Sequence, residues 1–210
     1  MIDIVLVGAG GFAREVYYWA RDAFSSDEYQ IKGFLSDFPN DLDGHKNITN
    51  PILGKILEYN IQPNDRFLFA IGSIERKRYL IKELKKKGAQ FLTLIHPTTV
   101  VIDSAKLGEG VILCPFSLIS DNVQLGDFVM VNNHAAVGHD AKVGGYSILS
   151  PYSSVLGWCE LGEEVFLGAH STIAARKKVG SETQISANSL ALRNVPSKAF
   201  VLGVPGKTLI

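Results

Sequence analysis

The chain has 210 residues, 46% of them apolar and 20% charged, and its 21 basic and 21 acidic side chains leave no formal net charge. That balance gives no electrostatic footing for nucleic acid or an anionic membrane surface. Asp3 interrupts the apolar start and no basic segment precedes it, so neither a signal peptide nor a membrane span is expected; the two cysteines, Cys114 and Cys159, read as small buried residues of a cytoplasmic protein rather than a disulfide.

In chain order, residues 1–94 read as a small α/β unit. Ile4-Val5-Leu6-Val7 is a continuous apolar run suited to a buried parallel strand. Gly8-Ala9-Gly10-Gly11 follows, and Phe12, Val16, Trp19, Ala20 and Ala23 recur at helical spacing, predicting a helix from about Gly11 to Phe24. A second strand is expected over Ile31–Leu35, a turn and short helix over Pro51–Tyr59, and a third strand over Phe67–Ile71. Ser73 is placed to cap a helix that runs through Leu84 and stops at Gly88. Phe91–Ile95 is read as a last strand leading into His96-Pro97. Alternating strands and helices imply a parallel sheet about the size of one mononucleotide-binding half, so 1–94 is assigned as a Rossmann-like domain.

From Ile95 the pattern changes. An aliphatic residue stands at every sixth position for sixteen hexads, from Ile95, Val101 and Leu107 through to Val179 and Ile185. Such a period is the signature of a solenoid, and hexads mean a parallel β-helix over 95–210. Each hexad supplies one short strand and one corner, and three close a triangle. One coil then takes eighteen residues, and coils stack at roughly 4.8 Å. The small residues at fifth positions, such as Ala135, Ser153 and Ser171, should point inward. The glycines at second positions, such as Gly126, Gly138 and Gly144, are expected at the corners, with positive φ. The aliphatic register fades after Leu190, and the tail through Gly203-Val204-Pro205-Gly206-Lys207 is expected to fold back along the prism.

Four groups are candidates for chemistry. Gly8, Gly10 and Gly11, between a strand and a helix, let a phosphate or ribose approach the helix N-terminus, with Asp37 beyond the second strand; the same glycines also suit a plain packing turn. His139 lies outside the aliphatic stack, where it is either an inert surface histidine or a general base oriented by Asp140. His134, Tyr152 and His170 are eighteen apart and should form a column on one face, more in keeping with a ladder at a subunit contact than with catalysis. Lys177 occupies a fifth position, where a buried amine is unfavourable, so the coil at Arg176-Lys177-Lys178 is expected to bulge or open. Those cations are then either a solvated edge or a contact for ligand phosphates.

Together, Gly8-Ala9-Gly10-Gly11-Phe12-Ala13-Arg14-Glu15-Val16, Gly33-Phe34-Leu35-Ser36-Asp37, His96-Pro97, the hexads, Gly138-His139-Asp140 and Gly203-Val204-Pro205-Gly206-Lys207 resemble the sialic-acid-biosynthesis-type sugar acyltransferases, which include bacterial nucleotide-amino-sugar N-acetyltransferases. The resemblance spans the chain. It implies a left-handed β-helix, a homotrimer with acetyl-CoA lying between neighbouring prisms, a nucleotide-linked sugar acceptor, and a role in polysaccharide biosynthesis. It makes His139 the general base of a direct transfer, Asp140 its orienting acid and the Gly157 N–H the oxyanion donor. Lys177, Lys178, Lys207 and Ile148 become candidate cofactor contacts, and Gly8, Gly10, Gly11, Phe12 and Asp37 candidate acceptor contacts. The chain departs from some members at three places. Phe12 stands for an acceptor-touching histidine, Ser36 for the first of two acids, and Ile148 for a cofactor-touching histidine. The acceptor is therefore open between an amino sugar, a sugar hydroxyl and some other group.

Two other classes share parts of the pattern. His134 and His139 have the five-residue spacing of zinc ligands in gamma-type carbonic anhydrases, but the third ligand should fall at residue 98, which is Thr98, with His96 out of register. A non-catalytic nucleotide-sugar-binding scaffold would keep the trimer and the glycine turn without turnover.

Overall fold

A computed structural model describes residues 1–209. The chain forms two compact units, Met1–Leu94 and a second beginning at Ile95.

In the first unit, β1 (Ile2–Val7), β2 (Tyr29–Leu35), β3 (Ile52–Gly54) and β4 (Asp65–Phe69) make a parallel sheet in the order β3-β2-β1-β4. The apolar run of β1 is buried throughout from Ile4 to Val7, as a central parallel strand requires. Helix α1 (Gly11–Ala23) buries Ala13, Val16, Tyr17 and Ala20, one side of its helical repeat, and α2 (Ile74–Lys86) buries Leu80, Ile81 and Leu84.

Three elements differ from the sequence reading. Residues 52–54 form a strand rather than a short helix, because β2 needs an edge partner and Gly33 lets it come close. Phe34 N donates to Pro51 O at 2.9 Å, and a Cβ on Gly33 would overlap that same carbonyl. Ser73 takes the extended N-cap geometry of α2 without a side-chain capping bond, whereas Gly88 (φ +89°) follows the helix end as expected. Phe91–Ile95 is not one strand. Phe91 bridges to Phe67 at the edge of β4, and β5 (Leu94–Ile95) opens the next ladder.

The second unit is the parallel β-helix. Two-residue strands pair in parallel at a shift of eighteen, for example Ile112–Leu113 with Met130–Val131, then with Ile148–Leu149 and Phe166–Leu167. The hexad aliphatics from Leu113 to Ile185 are all buried, and Ile95 at the open end is 40% exposed. Fifth positions point inward as expected, with Ala135, Ser153 and Ser171 fully buried.

The corners are built differently from the expectation. The second-position glycines do not carry the positive φ. Fourth-position residues do, from Phe116, Asn122 and Phe128 through to Asn188, at φ between 54° and 64°. A non-glycine residue in that region is disfavoured by roughly 1–2 kcal/mol, so the stacking of coils must offset it at every corner. The glycines serve close approach instead. A Cβ on Gly138 would lie 2.8 Å from Gly157 N, and one on Gly126 2.6 Å from Gly145 N.

Lys177 does not open the coil. Glu160 N donates to Lys177 O at 3.0 Å, Arg176 N to Gly157 O at 2.9 Å, and the pairing of Glu160 with Lys178 continues the register. Lys177 is half-buried, and its flexible stem carries the ammonium out of the interior.

The prism also extends beyond Leu190. Ala191 is buried and paired, Val179 bridges to Val195, and Ile185 pairs with Val201. The last coil is thus sixteen residues rather than eighteen, which is why the hexad count fails there. Among the described residues of the tail, only Lys207–Leu209 folds back, antiparallel to Phe200–Leu202.

Lys77 in α2 is buried with no partner for its amine, and burial pushes its pKa down from 10.5 to about 7. Between those two values the unfolded chain binds a proton that the folded chain does not. Stability therefore rises with pH through this window, by at most ~1.4 kcal/mol per pH unit. Lys77→Met is expected to raise the melting temperature at neutral pH and to flatten the stability profile above it. Denaturation at several pH values checks this, and an unchanged slope would contradict it.

Candidate active site

Two places in the structure gather the candidate side chains. The first lies on the prism. His139 is the third residue of its hexad, after Val137 at the strand end and Gly138 at the close approach, so its side chain leaves the prism wall beside a corner. Asp140 is the corner residue at φ +60°, and that conformation turns its carboxylate toward His139. His139 Nδ1 and Asp140 Oδ2 are 2.9 Å apart, with 48% of the His139 side chain and 31% of the Asp140 side chain exposed. Asp140 Oδ1 accepts a second hydrogen bond from Asn122 Nδ2 at 2.8 Å. Asn122 foremost, and His139 next, hold the Asp140 carboxyl below the usual carboxylate range. A carboxylate accepting at Nδ1 fixes the imidazole with its proton there and leaves the Nε2 lone pair free.

The ring itself sits over Gly157, one coil on. A Cβ at Gly157 would lie 2.8 Å from His139 Nε2, so the seat exists only because the residue is glycine. The Gly157 N–H enters no backbone hydrogen bond among the described residues. Trp158 meets the imidazole edge-on at 4.3 Å between centroids, and Arg176 covers the indole at 4.0 Å. The arrangement offers an imidazole with an oriented tautomer, a nearby amide donor and an aromatic wall.

The second place is a cleft of about 310 Å³ in the first unit, lined by Gly8, Gly10, Gly11, Phe12, Asp37 and Arg76 among others. Gly8 takes φ +108°, and a Cβ there would lie 2.8 Å from Ile71 Cγ1. Gly10 is the N-cap of α1 with no side-chain cap, so the first amides of the helix are available to an anion. Asp37 accepts from Ile56 N at 3.3 Å and pairs with Arg76 at 3.1 Å. Phe12 packs edge-on against Trp19. Ser36 holds the turn after β2, donating to Asp41 at 2.5 Å and accepting from Phe38 N at 3.1 Å.

The other candidates are not gathered at either place. Ile148 is 3% exposed inside its ladder and offers little surface to a cofactor. Lys178 pairs with Glu160 at 2.9 Å, and Lys207 lies on the terminal strand. No hydrogen bond or ion pair among the described residues joins these or Lys177 to His139.

The expected column is present and longer than the sequence indicated. Phe116, His134, Tyr152 and His170 stack with centroids 4.6–5.1 Å apart. His134 is thus committed to a ring stack at one corner, while His139 bonds Asp140 at another. Thr98 Oγ1 is held by His96 Nδ1 at 2.8 Å and by Phe116 N at 3.0 Å. Among the described residues no three of His, Cys, Asp or Glu are grouped to hold a metal ion, and no helix is long and apolar enough to cross a membrane. Asn122 and Arg76 were missed in the sequence. The eighteen-residue spacing from Asp140 marks Asn122, whereas nothing short of the fold brings Arg76 to Asp37.

A parallel β-helix preceded by an α/β unit with a glycine-turn cleft is the architecture of hexapeptide-repeat acyltransferases. Residues 3–84 match the PglD N-terminal domain family. Over 74 residues the chain is 32% identical to GDP-perosamine N-acetyltransferase of Escherichia coli O157:H7, covering 35% of this chain and 34% of that protein. Over 115 residues it is 27% identical to UDP-N-acetylbacillosamine N-acetyltransferase of Bacillus subtilis (strain 168), covering 54% of this chain and 51% of that one. These matches span a third to a half of the curated relatives' lengths. The structure of PerB from Caulobacter crescentus, solved in complex with CoA and GDP-perosamine, superposes with a TM-score of 0.89 at 26% identity, over 99% of this chain and 97% of that one. The chain is thus similar over its first unit to the PglD N-terminal domain family, and over nearly its whole length to the fold of PerB.

Gly157→Ala is expected to push the His139 ring off its seat and break the 2.9 Å bond to Asp140, while the melting temperature stays within a few degrees of the parent. A crystal structure of the variant checks this, and an unmoved imidazole would contradict the crowding argument.

Proposed function

We propose that the protein transfers an acetyl group from acetyl-CoA to the amine of a nucleotide-linked amino sugar, with His139 as general base. The observation that carries the reading is the His139–Asp140 pair, its ring seated over Gly157 with Nε2 free. The names of the relatives, two N-acetyltransferases of nucleotide-linked amino sugars, and PerB's complex with CoA and GDP-perosamine support the substrate class.

In the proposed reaction the amine attacks the thioester carbonyl carbon, forming the C–N bond. Its proton passes to His139 Nε2, and Asp140 steadies the imidazolium through Nδ1. The Gly157 N–H stabilises the oxyanion of the tetrahedral intermediate. As that intermediate collapses, the C–S bond breaks and the imidazolium proton goes to the departing CoA thiolate. Neither Cys114 nor Cys159 takes part; both are buried, and burial pushes the Cys159 thiol up.

The cleft bounded by Gly8, Gly10, Gly11, Phe12 and Asp37 takes the nucleotide-linked sugar, its phosphates facing the free amides of α1. Lys177 and Lys207 serve as phosphate contacts for the cofactor, and Lys178 does so once released from its exposed pair with Glu160. The working form is a homotrimer in the cytoplasm, with acetyl-CoA between prisms.

Thiol release from acetyl-CoA, measured with GDP-perosamine and a panel of other nucleotide-linked amino sugars, tests the reading. Release is expected only with an amino-sugar acceptor, and His139→Ala is expected to lower kcat by about 10²–10⁴-fold. Undiminished turnover in that variant would contradict the base assignment, and transfer to a sugar hydroxyl instead would move the acceptor to O-acetylation.

A further inference from the structure

The two oxygens of Asp140 have different partners. Oδ2 accepts from His139 Nδ1 at 2.9 Å, and Oδ1 accepts from Asn122 Nδ2 at 2.8 Å. Asn122 stands eighteen residues earlier, one level along the same corner, and shares the left-handed conformation at φ +54°. Its backbone is held in turn. Asn122 N donates to Ser104 Oγ at 2.9 Å, and the Ser104 hydroxyl donates to Asp121 Oδ1 at 2.5 Å.

The need for such a hold follows from exposure. Asp140 stands at a solvent-facing corner, and a carboxylate terminates a broad, two-fold torsion. With His139 as its one partner it could rotate or turn to water, and the imidazole would lose the acceptor that sets its tautomer. A second bond at Oδ1 fixes the plane of the carboxylate and directs Oδ2 to Nδ1. We infer that Asn122 is a positioning residue for the His139–Asp140 pair, setting the carboxylate so that the imidazole keeps its proton on Nδ1 and presents Nε2 as the base. The inference rests on His139 being the base of the reaction proposed above.

Two variants suit the geometry. Asn122→Gly removes the amide at a corner where glycine carries no φ penalty, and Asn122→Asp keeps the shape while replacing the donor with a carboxylate. Nitrogen–proton correlation NMR of the histidine rings in the full chain reads the tautomer without any substrate. The parent is expected to show His139 protonated at Nδ1, and both variants a mixture of tautomers. An unchanged tautomer in Asn122→Gly would overturn the inference.

Turnover with acetyl-CoA and GDP-perosamine as the probe pair supplies the second arm. Asn122→Gly is expected to lower kcat about tenfold, the scale set by partners that orient functional histidines, with KM changed less than about twofold. In an Asp140→Asn background the same change should cost nothing further, because the amide acts through that carboxylate. Fully additive losses would mean a structural role alone and would overturn the inference. His139→Ala separates the two claims: if it keeps parental turnover, the base assignment falls, while the tautomer result still decides whether Asn122 positions the pair.

Discussion

The constraint on which the second unit depends is the parallel hydrogen-bonded ladder at a shift of eighteen residues. From Leu94 to Ala191 every strand is two residues long, far too short to hold a fold alone, and each interior one is fixed by the strand one coil away on either side. The ladder imposes a size limit at the second hexad position, where backbone meets backbone, and a left-handed turn at the fourth. At some of these turns aromatic rings stack from coil to coil and recover part of what the backbone loses. Phe116, His134, Tyr152 and His170 form one such column, and Phe128 on Tyr146 forms part of another.

The candidate active site is a use of that periodicity rather than an exception to it. The third corner column runs Asn122, Asp140, Trp158 and Arg176, and each neighbour touches the next or the histidine beside it. The close packing of coils that excludes side chains at Gly138 also leaves the seat at Gly157 for the imidazole. A rigid scaffold therefore sets the position of a half-exposed histidine without burying it.

Much of this was legible in the residues. The hexad aliphatics locate the core, and a count of eighteen aligns His139 with Gly157 and His134 with Tyr152. What stayed hidden has specific causes. Glycine is the usual occupant of the positive-φ region, yet most corners here carry aromatic, polar or charged residues with positive φ, Gly110 being the glycine among them, while the second-position glycines meet the next coil. The extent of the prism was misjudged because one coil is two residues short. Lys177 looked disruptive because periodicity counts positions and takes no account of a long stem that reaches solvent. In the first unit, the strand at 52–54 and the Asp37–Arg76 pair depend on tertiary neighbours far apart in sequence, which no local pattern carries.

The reaction proposed above is direct transfer by an oriented histidine, with no acyl group ever attached to the protein. The most direct measurement is the intact mass of the full chain after incubation with acetyl-CoA and no acceptor, followed by addition of an amino-sugar nucleotide. The account predicts an unchanged protein mass throughout, with acetylated sugar formed only after the acceptor is added. Protein that gains one acetyl group before the acceptor arrives, and loses it to the sugar afterwards, would contradict it.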